Sequence, residues 1–113
     1  KVDPDKIIID ASTVEKYNQS IKLIASKLNP AEYKKFHVAS GFIYYVNLDE
    51  TAKKVKGSSM TSKERMDLMT TSHLKLVHDR TAGRMIRMYD KMKQEERDWV
   101  IAREEEFKKK YKK

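Results

Sequence analysis

Cysteine is absent from this chain, glycine occurs three times, proline twice and tryptophan once. Without thiols there is no disulfide framework, no thiolate metal site and no cysteine nucleophile, and the composition leaves the redox state of the compartment open. Long apolar runs are missing too. A bilayer-spanning helix needs roughly 20 apolar residues, whereas the longest run here, Gly41–Val46, is only large enough for a core segment. Scarce Gly and Pro, set against abundant Lys, Glu, Met and Ala, favour helices, because straight side chains lose little rotamer freedom in a helix while Gly and Pro break one.

What is present fits one domain: 113 residues, 39% hydrophobic and 37% charged. A chain of this size buries about 65% of the surface of its unfolded form, enough for stability without disulfides or metal. The expected fold is all-α, a single compact domain of about four helices with a short extended lead-in over residues 1–11, a helical core over 12–102 and a charged helical tail over 103–113, the end of a long C-terminal helix.

Local signals place the elements. Ile7-Ile8-Ile9 follows the turn-prone Asp3-Pro4-Asp5 and reads as extended. Ser12-Thr13-Val14-Glu15 has the spacing of a capping box, after which Val14, Tyr17, Ile21, Ile24 and Leu28 share one helical face and are expected in the core. Asn29 and Pro30 stop that helix and start a second, with Asn as N-cap and Pro in the first turn. Phe36, Ala39, Ile43 and Val46 continue the apolar period there, and Phe42, Tyr44 and Tyr45 widen the arc, so this is expected to be the most buried element. Gly41 in its middle suggests a close helix contact.

Lys53–Ser59 reads as a helix end and surface loop, and Ser62 restarts the chain as a helix striped by Met66, Met69, His73 and Val77. The interruption Val77–Gly83 then separates this helix from one capped by Thr81, whose inward face is Ala82, Met85, Ile86, Tyr89 and Met92. Toward the C-terminus Glu104, Glu105 and Glu106 stand four residues before Lys108, Lys109 and Lys110, a spacing that supports an exposed helix.

Catalytic and metal chemistry find little support. His37 is isolated, and His73 and His78, five apart, diverge by about 140° on a helix, so no metal site is expected. His73 reads as a hydrogen-bonded residue on an apolar face and His78 as part of a turn. Ser and Thr sit mainly at helix caps. The expectation is a non-enzymatic protein with no catalytic residue and no cofactor. Six Met residues at helical spacing fit an irregular core better than an adaptable binding groove.

Charge is the remaining signal. The formal net charge of +8 suits an anionic partner, but the excess is divided between residues 1–57 and 58–113 and marks no single recognition helix. The best local patch is Arg80, Arg84 and Arg87, followed by Lys53, Lys54 and Lys56, and these six are the candidate anion or partner contacts. A DNA-reading helix wants polar side chains for base edges, whereas Met85, Ile86, Met88 and Tyr89 suit a core.

Three segments carry a resemblance. Ile9-Asp10-Ala11-Ser12-Thr13-Val14-Glu15-Lys16-Tyr17-Asn18-Gln19-Ser20-Ile21, Leu28-Asn29-Pro30-Ala31-Glu32-Tyr33-Lys34-Lys35-Phe36 and His78-Asp79-Arg80-Thr81-Ala82-Gly83-Arg84-Met85-Ile86 resemble landmarks in the mature domain of a family of small bacterial lipoproteins of unknown function. Asp79-Arg80 stands where that family has Gly-Lys, and the basic tail is an addition. The resemblance implies a helical domain of the periplasm or cell envelope, held to the membrane only through a lipidated Cys upstream of this chain. The opening Lys1-Val2-Asp3, without Met, fits removal of an upstream segment, for which a signal peptide is one candidate; without a signal peptide the expected location is the cytoplasm. The expected function is binding of another protein, through an exposed helical face or the Lys53–Ser59 loop, with neutralisation of a secreted toxin as one concrete version. The alternative is a basic domain that binds nucleic acid or another anionic polymer.

Overall fold

The computed structural model describes residues 2–111, with Tyr111 described by its backbone alone. Lys1 and residues 112–113, the outer ends of the expected lead-in and tail, lie outside the described residues. After a single 3₁₀ turn, Pro4–Lys6, come five helices: α1 (Val14–Lys27), α2 (Pro30–Val55), α3 (Ser62–Val77), α4 (Ala82–Lys91) and α5 (Gln94–Tyr111). The architecture is all-α, with the 26-residue α2 as a central post on which α3, α4 and α5 all pack. At about 1.5 Å per residue α2 is roughly 39 Å long, which accounts for the elongated 49 × 31 × 30 Å envelope. No helix among the described residues is long and apolar enough to cross a membrane.

Helix starts follow hydrogen-bond chemistry, with two shifts of one residue from expectation. Asn29 caps α2, its side chain accepting from the Glu32 N–H while the Glu32 carboxylate accepts from the Asn29 N–H. Thr81 caps α4 through its hydroxyl and the Arg84 N–H. The cap of α1, however, is Thr13 and not Ser12: the Thr13 hydroxyl accepts from Lys16 N at 3.1 Å, while the Ser12 hydroxyl is taken by Asp10 at 2.6 Å. That contact and the one from the Ser12 N–H hold the Asp10 carboxyl below its ordinary pKa. Likewise α3 is capped by Thr61 and not Ser62, because only Thr61 has a glutamate, Glu64, three residues on to complete the box.

Five helices replace the expected four because the last one is broken. Met92 turns extended, its N–H bonding back to the Met88 and Tyr89 carbonyls, and the Lys93 N–H restarts the chain by donating to the Glu96 carboxylate at 2.8 Å. Helix α2 also runs further than expected. Thr51 and Val55 are buried, so Lys53 and Lys54 lie on its last turn and the loop proper begins at Lys56.

The closed part of the core lies between α2, α4 and the N-terminal lead-in. The largest fully buried side chains of the core as a whole, Ile9, Ile24, Phe36, Val77, Met85 and Val100, come from the lead-in and all five helices. The lead-in does more than precede α1. Ile8 bridges Thr81 in antiparallel fashion, with Ile9 N donating to Arg80 O at 2.8 Å, Asp79 N to Ile9 O at 3.0 Å and Ala82 N to Ile7 O at 2.9 Å. Ile7 and Ile9 turn inward and Ile8 outward, the alternation of an extended strand. The Val77–Gly83 interruption is thus a helix-to-helix turn that also seats the N-terminus. Asp79 there takes a left-handed conformation, φ 66°, which Asp tolerates better than most residues. A Cβ on Gly83 would collide with the Asp5 carboxylate and stand 2.9 Å from the Asp5 backbone nitrogen, so only glycine lets the 3₁₀ turn sit against α4. Gly41 serves α5 in the same way: a Cβ there would meet Val100 Cγ1 at 2.9 Å.

Some residues expected inside are not. Val14, Val46 and Met66 are all exposed, because the helix periodicity that groups them with buried neighbours does not place a packing partner over each of them.

Candidate functional site

The six basic candidates do not form one site. Arg80 donates its Nε to the Leu76 carbonyl at 2.6 Å, a C-terminal stop for α3, and Arg87 pairs with Asp5 at 2.6 Å across the packed 3₁₀ turn. Arg84 stands exposed on the first turn of α4. Lys53 and Lys54 are exposed on α2, and Lys56 lies at its C-terminal cap, at the far end of the molecule's central post from Asn29.

The feature that the periodicity left hidden is a trough along α2. Tyr33, His37, Ser40, Tyr44, Leu48 and Ala52 advance by steps of three and four and none is buried. They floor three cavities that run into one another. The first, about 300 Å³, lies among Tyr17, Tyr33, Ser40, His73 and Glu104. The second, about 770 Å³, lies among Leu48, Met66, Met69 and Phe107 and shares Tyr44 and Tyr45 with the first. The third, about 380 Å³, reaches Val55, Lys56 and Arg65 and shares Leu48, Met66 and Met69 with the second. Helix α3 forms one wall and α5 the other, and α1 closes the Tyr33 end through Tyr17 and Ile21.

The wall positions are fixed by polar staples. Arg103 pairs with Asp49 at 2.9 Å and its guanidinium lies over the rings of Tyr45 and Trp99, each 5.2 Å away, so α5 is held to α2 where the trough begins to widen. Glu104, the next residue of α5, meets His37 near the other end of α2 at 2.9 Å. Burial works to raise the Glu104 carboxyl, but the hydrogen bond from His37 and the neighbouring Lys108 outweigh it and hold it below the ordinary carboxylate range. Opposite, Asn47 donates to the Met69 carbonyl at 3.4 Å and ties α3 to α2.

At the closed end the Tyr17 hydroxyl meets His73 Nε2 at 3.2 Å, and the imidazole stands edge-on to the rings of Tyr17 and Tyr44. His73 is the hydrogen-bonded residue on an apolar face that its position suggested, 6% exposed. Burial depresses its pKa and raises that of Tyr17, so both favour their neutral forms. His73 Nδ1 finds no hydrogen-bond partner among the described residues. His78 caps α3 and its Nδ1 accepts from the Ala11 N–H at 2.9 Å, so the two histidines serve different contacts. Among the described residues no group of three or more His, Asp or Glu side chains gathers as metal ligands.

The methionines divide between the two environments. Met85 is fully buried and Met92 nearly so, as core filling requires, but Met66 is 55% exposed in the trough wall and Phe107 opposite it 42% exposed. These two, with Tyr44 and Leu48, are the residues that composition and spacing did not single out as a site. The available signal was that α2 is apolar on more than one face, which a single core does not require.

No protein-family model, curated protein or solved structure matches the chain. What the trough can do follows from its own chemistry. It is long and open, with hydrocarbon and sulfur at its centre, the Tyr17–His73 contact and Glu104 at one end, and Lys56 and Arg65 at the other.

Proposed function

We propose that this domain is a non-enzymatic binding module that receives a helix of another protein in the trough along α2. The observation that carries the reading is the succession of three adjoining cavities along α2 from Tyr33 to Val55, a length of about 33 Å, walled by α3 and α5 at its centre and by α3 alone toward Val55. Amphipathic helices bind other proteins by laying apolar anchors at helical spacing into grooves of this kind. Thioether side chains such as Met66 and Met69 adapt their shape to such anchors. The Lys53–Ser59 segment expected to contact a partner contributes Val55, Lys56 and Gly57 to one end of the groove, so both expected interaction elements converge on it. An envelope location, with attachment through an upstream lipidated Cys, is supported by the resemblance to small bacterial lipoproteins, and neutralisation of a toxin is one task such a module could perform there.

Nucleic-acid binding is the less favoured reading, because Arg80 and Arg87, two of the three residues in the best basic patch, are engaged within the protein itself. The test is chemical cross-linking of the anchored full-length protein in envelope extracts, wild type beside Met66→Asp. A stoichiometric protein adduct that the variant loses supports the reading. An adduct that forms equally with the variant, or adducts to nucleic acid alone, contradicts it.

A further inference from the structure

Resting on that reading, we infer that the occupant of the trough is an acidic amphipathic helix of about six turns, its carboxylates concentrated in the half that lies toward Lys56. The length follows from the floor: Tyr33 to Val55 spans about 33 Å, which a straight helix covers in roughly 22 residues. The apolar stripe follows from the walls, since Leu48, Met66, Met69 and Phe107 present hydrocarbon and sulfur to the centre of the groove.

The charge follows from the rim. Lys56, Arg65, Arg103 and Lys110 line the second and third cavities against the single carboxylate of Glu106. Arg103 is committed to Asp49, which leaves the Lys56 end the most basic part of the groove. At the closed end no unpaired cation lines the groove among the described residues: Glu104 is the acidic lining residue there, and it is engaged by His37 at 2.9 Å and by Lys108 at 3.4 Å. A helix with acidic residues spread evenly would leave some of them at the closed end with no unpaired cation opposite, whereas one with acid in a single half sets its carboxylates against Lys56 and Arg65 and is thereby oriented. The same arithmetic argues against a second copy of this chain as occupant, because two molecules of net charge +8 repel.

The experiment uses fluorescence anisotropy with the intact protein and four labelled synthetic helices of about 22 residues. One has a leucine stripe with Glu clustered in one half, one has Lys in place of each Glu, one spreads the same Glu evenly, and one keeps the composition of the first with its stripe scrambled. The clustered acidic helix is expected to bind at least tenfold more tightly than the Lys helix and more tightly than the even one, with affinity that falls as salt is raised. Met66→Asp combined with Phe107→Asp should abolish binding while the circular dichroism melt is retained, and Lys56→Glu with Arg65→Glu should reverse the preference between Glu and Lys helices. Equal binding of Glu and Lys helices overturns the acidic assignment and leaves the groove reading standing. Binding of the scrambled helix as tight as the first, no binding of any helix, or dimerisation of the protein through the same face overturns the groove reading itself.

Discussion

The two sides of α2 use the same kinds of residue to opposite ends. Toward α4 and the lead-in, Phe36 and Ala39 meet Met85, Ala82 and Ile9 in a core that excludes water. Toward the gap between α3 and α5, Tyr44 and Leu48 stand beside Met66 and Phe107, and no third helix covers them among the described residues. The chemistry differs little between the two sides; the difference is whether another element arrives to cover the stripe. On the closed side the lead-in arrives from the other end of the chain and contributes Ile7 and Ile9. Apolar surface on the open side stays in water, an arrangement more typical of an interaction site than of an isolated domain.

Met85→Ala, in the closed side, removes a side chain with no exposure and should lower stability by about 2–5 kcal/mol in urea or thermal unfolding. Gly83→Ala forces the lead-in away from α4 by the clash with Asp5 and should cost about 1–3 kcal/mol, with faster amide exchange at Ile9 and Ala82. Thr81→Ala removes only the cap of α4, a loss of about 1 kcal/mol. Met66→Asp, on the open side, should leave stability within about 0.5 kcal/mol of wild type. A large loss there would mean that the trough is core after all.

One prediction concerns pH, with the sign set by His73. Its pKa is depressed by burial in the folded state, so the unfolded chain takes up a proton first as pH falls. Stability is therefore fully present above the unfolded value of about 6.5 and declines as pH drops from there through the folded pKa. His73→Leu should flatten the dependence of the melting temperature on pH between about 7.5 and 5.5. Glu104, whose pKa is also lowered, acts in the same direction in a more acidic window, below about 4.5.

Short-range features were the most legible. The Asn29 and Thr81 caps, the all-helical class and the turn between Val77 and Gly83 are decided by residues within four positions of one another. The displaced caps at Thr13 and Thr61 show the limit of that reasoning, since each lost or gained its place through a neighbouring side chain that competes for the same hydrogen bonds. The break at Met92 carries no Gly or Pro to announce it. Long-range features were not legible at all: Asp5 meets Arg87, and Ile9 meets Arg80, across most of the chain. The trough belongs to this second group. Periodicity put Met66 and Met69 on one stripe, yet Met69 is buried and Met66 is open, because the packing of α3 on α2, where Asn47 donates to the Met69 carbonyl, decides which part of the stripe is covered.

One face of α2 is closed, and we propose that a partner covers the other. The six methionines report on it directly, since Met66 and Met69 line the trough while Met85 and Met92 belong to the core. In a methyl NMR spectrum of the methyl-labelled protein, titration with the clustered acidic helix should shift the Met66 and Met69 resonances and leave those of Met85 and Met92 in place. Shifts at Met85 and Met92 with Met66 unmoved would contradict the account.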